Sequence, residues 1–125
     1  MALSIGEGIV YETGSPAQSI ADRRQIILSS TWRNFRKVVE LTTYYISQQA
    51  IFTSRTIQLE RAAILESDLT SDMKISAVVA LYRAGKECLT LTAIQSERRA
   101  IIESTLSDFE KNCVLRWAFS PSPNP

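Results

Sequence analysis

The stretch ILSSTWRNFRKVVELTTYYI, residues 27–46, decides the fold class. At about 100° per residue, Ile27, Leu28, Trp32, Phe35, Val38, Val39, Thr42, Tyr45 and Ile46 fall on one face of a helix. Arg33, Arg36 and Lys37 fall on the opposite face. Upstream, Ser19 is a fitting cap before Ile20. Arg24 lands in the middle of the apolar face, which requires a break in the helix before residues 29–31 or an ion pair that holds the guanidinium. Ile51 and Phe52 leave the stripe, so the helix is expected to end near residues 49–52.

The same spacing continues downstream. Residues 17–120 contain no proline and one glycine, Gly85, so the segment reads as all-helical. A second helix is expected from Thr53 or Ser54 to residue 67. A third follows, capped by Thr70 or Ser71, with Ile75, Val78, Val79, Tyr82 and Leu89 at core positions and Gly85 ending or bending it. Thr92 and Gln95 have capping-box spacing, as do Ser107 and Glu110, so the last helix has a possible division. Ile94, Ile101, Ile102, Leu106, Phe109, Cys113 and Trp117 are its expected core positions. The expected architecture is an all-α antiparallel bundle of four to five helices over residues 17–119. Residues 1–16, with Gly6, Gly8 and Gly14 around Ile9, Val10 and Tyr11, read as a short extended arm. Residues 120–125, with proline at every second position, read as a disordered tail.

A chain of 125 residues, 45% hydrophobic and 22% charged, is one domain with a true core. The longest aliphatic run, from Ala77 to Leu81, falls far short of the roughly 20 residues a membrane span needs. Cys88 and Cys113 belong to no C-x-x-C pair and read as reduced thiols of a cytoplasmic protein. No histidine is present, which removes the commonest general base and metal ligand.

The remaining motifs have simpler readings than chemistry. Ser71 and Lys74 have S-x-x-K spacing, but the S-D-N and K-T-G elements of penicillin-recognising enzymes are absent. A helix cap followed by a surface lysine accounts for the pair. Gly6 and Gly8 open a G-x-G-x-x-G pattern that Tyr11 breaks. Asp68 with Asp72, and Asp108 with Glu110, sit at expected helix starts, where negative charge suits the helix dipole. The expectation is therefore a non-enzymatic protein with no cofactor and no metal.

Charge is more informative than motif. The total is +1, yet residues 23–59 hold six basic side chains and a single acid, Glu40. Arginine accounts for most of the basic residues, and its planar fork suits phosphate. The first long helix thus presents Arg33, Arg36 and Lys37 as a stripe, with Arg23, Arg55, Arg98 and Arg99 in support. Trp32 and Phe35, between those cations, are expected to face the core. Such a stripe holds a phosphate backbone without reading bases. The same stripe is also what an ordinary solvated helix face looks like.

In size, helical content and arginine-rich faces, residues 17–118 resemble the small subunit of Cascade-type CRISPR effector complexes. The resemblance implies a non-catalytic helical subunit of a nucleoprotein complex. Its partners would be single-stranded nucleic acid, gripped by the backbone, and other protein subunits, several copies of itself among them. The alternative is a helical protein–protein interaction module, such as an adaptor, chaperone or immunity protein, with no nucleic acid. No membrane partner is expected.

Overall fold

The structure, a computed structural model, describes residues 16–119. The expected arm, apart from Pro16, and the expected tail lie outside the described residues. Six α-helices and two short 3-10 turns make up the described part, and no strand occurs within it. They are α1 (Pro16–Ser29), α2 (Asn34–Ser47), a 3-10 turn (Gln49–Ile51), α3 (Ser54–Leu65), α4 (Ser71–Ala84), a second 3-10 turn (Lys86–Cys88), α5 (Leu91–Ile102) and α6 (Asp108–Phe119). None of these helices is long and apolar enough to cross a membrane.

The all-α expectation holds, but the count and the organisation differ from four or five helices in a bundle. Helices α2, α4 and α6 begin at residues 34, 71 and 108, a constant step of 37. The described residues form three successive helical hairpins built on one plan. Ile20, Arg24, Ile27, Ser30 and Lys37 recur as Ile57, Arg61, Ile64, Ser67 and Lys74, and again as Ile94, Arg98, Ile101, Ser104 and Lys111. Stacked hairpins of this kind bury faces that no single unit could bury alone.

The recurring serine explains the break the apolar pattern concealed. Ser30 Oγ donates to the Ile27 carbonyl at 2.7 Å and accepts the Trp32 N–H at 3.3 Å, so the side chain replaces the next turn of helix. Ser67 does the same with Ile64 and Leu69, and Ser104 with Ile101 and Leu106. The long first helix therefore divides into α1 and α2. With the phase reset at the break, Phe35 is 70% exposed, Val39 and Ile46 are also exposed, and Trp32 is half-buried. The inward placement expected for Phe35 is corrected accordingly, whereas Trp32, half-buried, packs against the core.

Helix starts follow the caps. Thr53 accepts from the Thr56 N–H at 3.1 Å and Thr90 from the Ala93 N–H at 3.1 Å. The true cap of α5 is thus Thr90, not Thr92. Ser107 and Glu110 form the reciprocal box, at 2.8 and 3.1 Å. Gly85 ends α4 with an ordinary backbone (φ −99°), and a Cβ there would run into Ile57 and Phe52.

The core is one continuous cluster. Ile20, Ile27, Ile57, Ile64 and Ile101 enter it from the first helices of the hairpins, and Leu41, Tyr45, Val78, Leu81, Tyr82 and Val114 from the second. Helix α4 lies between α2 and α6 and buries Ile75, Ala77, Val78, Val79, Leu81, Tyr82 and Ala84. The second helices therefore run side by side, and their outer faces form one surface.

Candidate interaction surfaces

The recurring arginine joins each hairpin to the next. Arg24 Nε donates to Glu60 Oε1 at 2.9 Å and Nη2 to Oε2 at 3.2 Å, while the Tyr45 hydroxyl donates to Oε1 at 2.7 Å. At the next junction Arg61 meets Glu97 at 2.7 and 3.3 Å, and the Tyr82 hydroxyl donates at 2.7 Å. Arginine and glutamate are 36 residues apart in both cases, and tyrosine and glutamate 15. This is the ion pair that the position of Arg24 called for; the helix also breaks, but at residues 30–33, after Ser29 and not before it. Glu60 and Glu97 are buried, each carrying three hydrogen bonds, so both carboxylates are committed to holding hairpins together.

The junctions set the behaviour at alkaline pH. Burial, reinforced by the adjacent carboxylate, holds the Tyr45 and Tyr82 phenols well above their ordinary value. Burial works against the Arg61 charge, but the hydrogen bond and charge of Glu97 outweigh it and raise that group too. In the unfolded chain tyrosine ionises near about pH 10. Below that pH both states keep the proton. Above it the unfolded chain loses the proton and the folded chain retains it, so stability falls as pH rises. Two such phenols give a decline of about 2.7 kcal/mol per pH unit. Urea unfolding followed from about pH 8 to 11 is expected to show a level region and then this fall. Tyr45→Phe combined with Tyr82→Phe is expected to remove most of it, leaving the smaller falls from Cys88 and Tyr44, which burial also raises. A level profile throughout would contradict the role given to the phenols.

The seven candidate phosphate ligands are spread over all three hairpins. Lys37 is not a free cation of a stripe: its Nζ donates to the Leu28 carbonyl at 2.8 Å, and Lys74 repeats the contact with Leu65 at 2.7 Å. Each lysine serves the carbonyl end of the preceding helix, a need the sequence does not display. Arg36 lies 4.1 Å over the Trp32 ring, with Nε 3.9 Å from Glu40. Arg33 precedes α2 and is exposed. Arg23 sits 5.8 Å over the Tyr44 ring. Both Arg23 and Trp32 line a hollow of about 230 Å³ on the first hairpin, so Arg23 and Arg36 flank one site. Arg55 is occupied with Gln58 on α3, and Arg98 and Arg99 are exposed on α5, apart from that site.

A second surface escaped the sequence reading. A groove of about 630 Å³ runs across α2, α4 and α6, lined by Thr42, Ile46, Gln49, Ser76, Val79, Ala80, Arg83, Ala84 and Trp117. Ile46 and Trp117 are each more than half exposed along it. Arg83 donates to the Trp117 carbonyl at 3.3 and 3.1 Å, which fixes the end of α6 against α4. The lining has one cation and no carboxylate. The 37-residue step was the signal that could have found it, because the step places equivalent outer faces of the second helices next to one another. Among the described residues, no cluster of acidic or cysteine side chains could hold a metal ion. Compared with protein families, curated proteins and solved structures, the chain matches none.

Proposed function

We propose that the chain is a non-catalytic helical-repeat scaffold that binds a segment of another protein in the groove across α2, α4 and α6. The groove itself carries this reading. It offers apolar floor from Ile46, Val79, Ala80 and Trp117, and Arg83 as its one charge. Its chemistry fits an amphipathic helix with apolar residues at i, i+3 or i+4, and i+7, and an acidic residue beside them. Repeat stacks present such extended surfaces readily.

A second reading keeps the phosphate backbone of single-stranded nucleic acid as the ligand, as the resemblance to Cascade-type small subunits implies. What favours it is the exposure of Arg33 and Arg36 and the position of Arg23 on the neighbouring hollow, which Glu40 also lines. With Lys37 engaged in the fold, three phosphate contacts remain on that hairpin. They give a log–log salt slope of only about −2 on single strands.

One pair of measurements separates the two. Peptides of helical length selected from a display library on the immobilised chain are expected to share the apolar spacing and an acid. They are expected to lose at least tenfold in affinity for Ile46→Asp and Ala80→Arg chains. Equal binding to those variants overturns the groove reading. A labelled single-stranded oligonucleotide that binds at low salt, weakens with that slope and ignores Ala80→Arg establishes the phosphate reading instead.

A further inference from the structure

The two hairpin junctions share a donor half and an acceptor half. The donor half is an arginine, an aliphatic residue four positions later and an aromatic ring at the end of the second helix: Arg24, Leu28 and Tyr45, then Arg61, Leu65 and Tyr82. The acceptor half is the glutamate of the following hairpin. The third hairpin repeats the donor half as Arg98, Ile102 and Phe119. Here the guanidinium is exposed, 5.8 Å over the Phe119 ring, and forms no ion pair among the described residues. Ile102 is 55% exposed, whereas Leu28 and Leu65 are packed against the core.

We infer that this face of α5 and α6 is a docking surface for a helix of another protein that carries a glutamate, seated on Arg98 as Glu60 is on Arg24 and Glu97 on Arg61. Charge selects this occupant. The residue that corresponds to Glu60 and Glu97 in the first hairpin is Arg23, so a second copy stacked head to tail would set Arg23 against Arg98. The first hairpin also carries Glu40 and Ser47 where the second has buried Ala77 and Ala84, which makes its outer face polar. Two copies joined by their third hairpins would offer Arg98 no equivalent glutamate, because the one that hairpin carries, Glu97, is buried against Arg61. Residues 120–125 contain no acidic side chain. The surface is separate from the groove across the second helices.

The test uses the full chain, isotopically labelled with ¹⁵N, and as probe a synthetic peptide of residues 53–89, the hairpin that carries Glu60, held helical by side-chain staples and verified as helical by circular dichroism. Titration is expected to shift the amide signals of Arg98, Ile102 and Phe119. A Glu60→Gln peptide is expected to bind at least tenfold more weakly. An Arg98→Glu chain is expected to lose the parent peptide and to gain a Glu60→Arg peptide. No shift at high peptide concentration, shifts confined to other residues, or binding indifferent to Arg98→Glu would overturn the inference. An Ala80→Arg chain keeps this interaction, so a failed groove reading leaves it standing.

Discussion

Glu60→Ala is expected to cost about 3–5 kcal/mol of folding free energy, as loss of one partner from a buried ion pair does. Glu60 is 1% exposed and Tyr45 0%. Removing the carboxylate takes the acceptor from three hydrogen bonds at once. It leaves the part-buried Arg24 guanidinium without the Glu60 carboxylate and the buried Tyr45 hydroxyl without its acceptor. A domain is stable by only about 5–15 kcal/mol, so this loss removes a large share. Equilibrium urea unfolding is expected to show the midpoint falling accordingly. Glu97→Ala breaks the equivalent set around Arg61 and Tyr82 and is expected to cost a similar amount. Replacing Arg24 and Glu60 together by methionine is expected to recover much of the loss, because a part-buried guanidinium deprived of the Glu60 carboxylate is costlier than the absence of the pair. A Glu60→Ala variant within about 1 kcal/mol of the parent would show that solvent reaches the junction and that the pair is no strut.

Ile64→Ala is expected to cost about 3–4 kcal/mol, within the range for a fully buried aliphatic side chain that leaves a cavity. Ile64 is 0% exposed, on the first helix of the middle hairpin. That hairpin supports both junctions, so its loss weakens the contacts of α4 with α2 and with α6 together. Unfolding of the variant is expected to remain a single transition at lower denaturant. Ile94→Ala, at a half-buried position on the last hairpin, is expected to cost less than half as much. Equal costs at the two positions would mean that the hairpins contribute independently of their place in the stack. Thermal and urea midpoints of the two variants decide this.

Much of the local structure was legible because it depends on neighbours in sequence. The helix starts near Thr53 and Thr70, the end of α4 at Gly85 and the Ser107–Glu110 box each need only a few residues to specify. Arg24 announced itself as a charge on an apolar face, which demanded an explanation and received two. The repeat was not legible by composition or by short motifs. Five residues recur in each 37, and their intervals are filled by unlike side chains: Trp32 corresponds to Leu69 and Leu106, and Phe35 to Asp72 and Phe109. The acidic partners of the arginines lie 36 residues away, beyond any helical period. Lys37 was assigned to solvent because its partner is a main-chain carbonyl, invisible in a sequence of side chains. The groove belongs to three helices at once, so only their arrangement reveals it.

The elbow between the two helices of a hairpin has a use beyond ending a helix. Serine and lysine both grip oxygen atoms of the main chain there, at Ile27 and Leu28, and at Ile64 and Leu65. Such a clasp is indifferent to which side chains the gripped residues bear. The clasp therefore does not depend on the identity of the corner residues: TW in one elbow is exchanged for DL in the next, and the same serine and lysine contacts form. Natural drift can rewrite the rim of the molecule, corner by corner, while the spacing of the rungs stays constant.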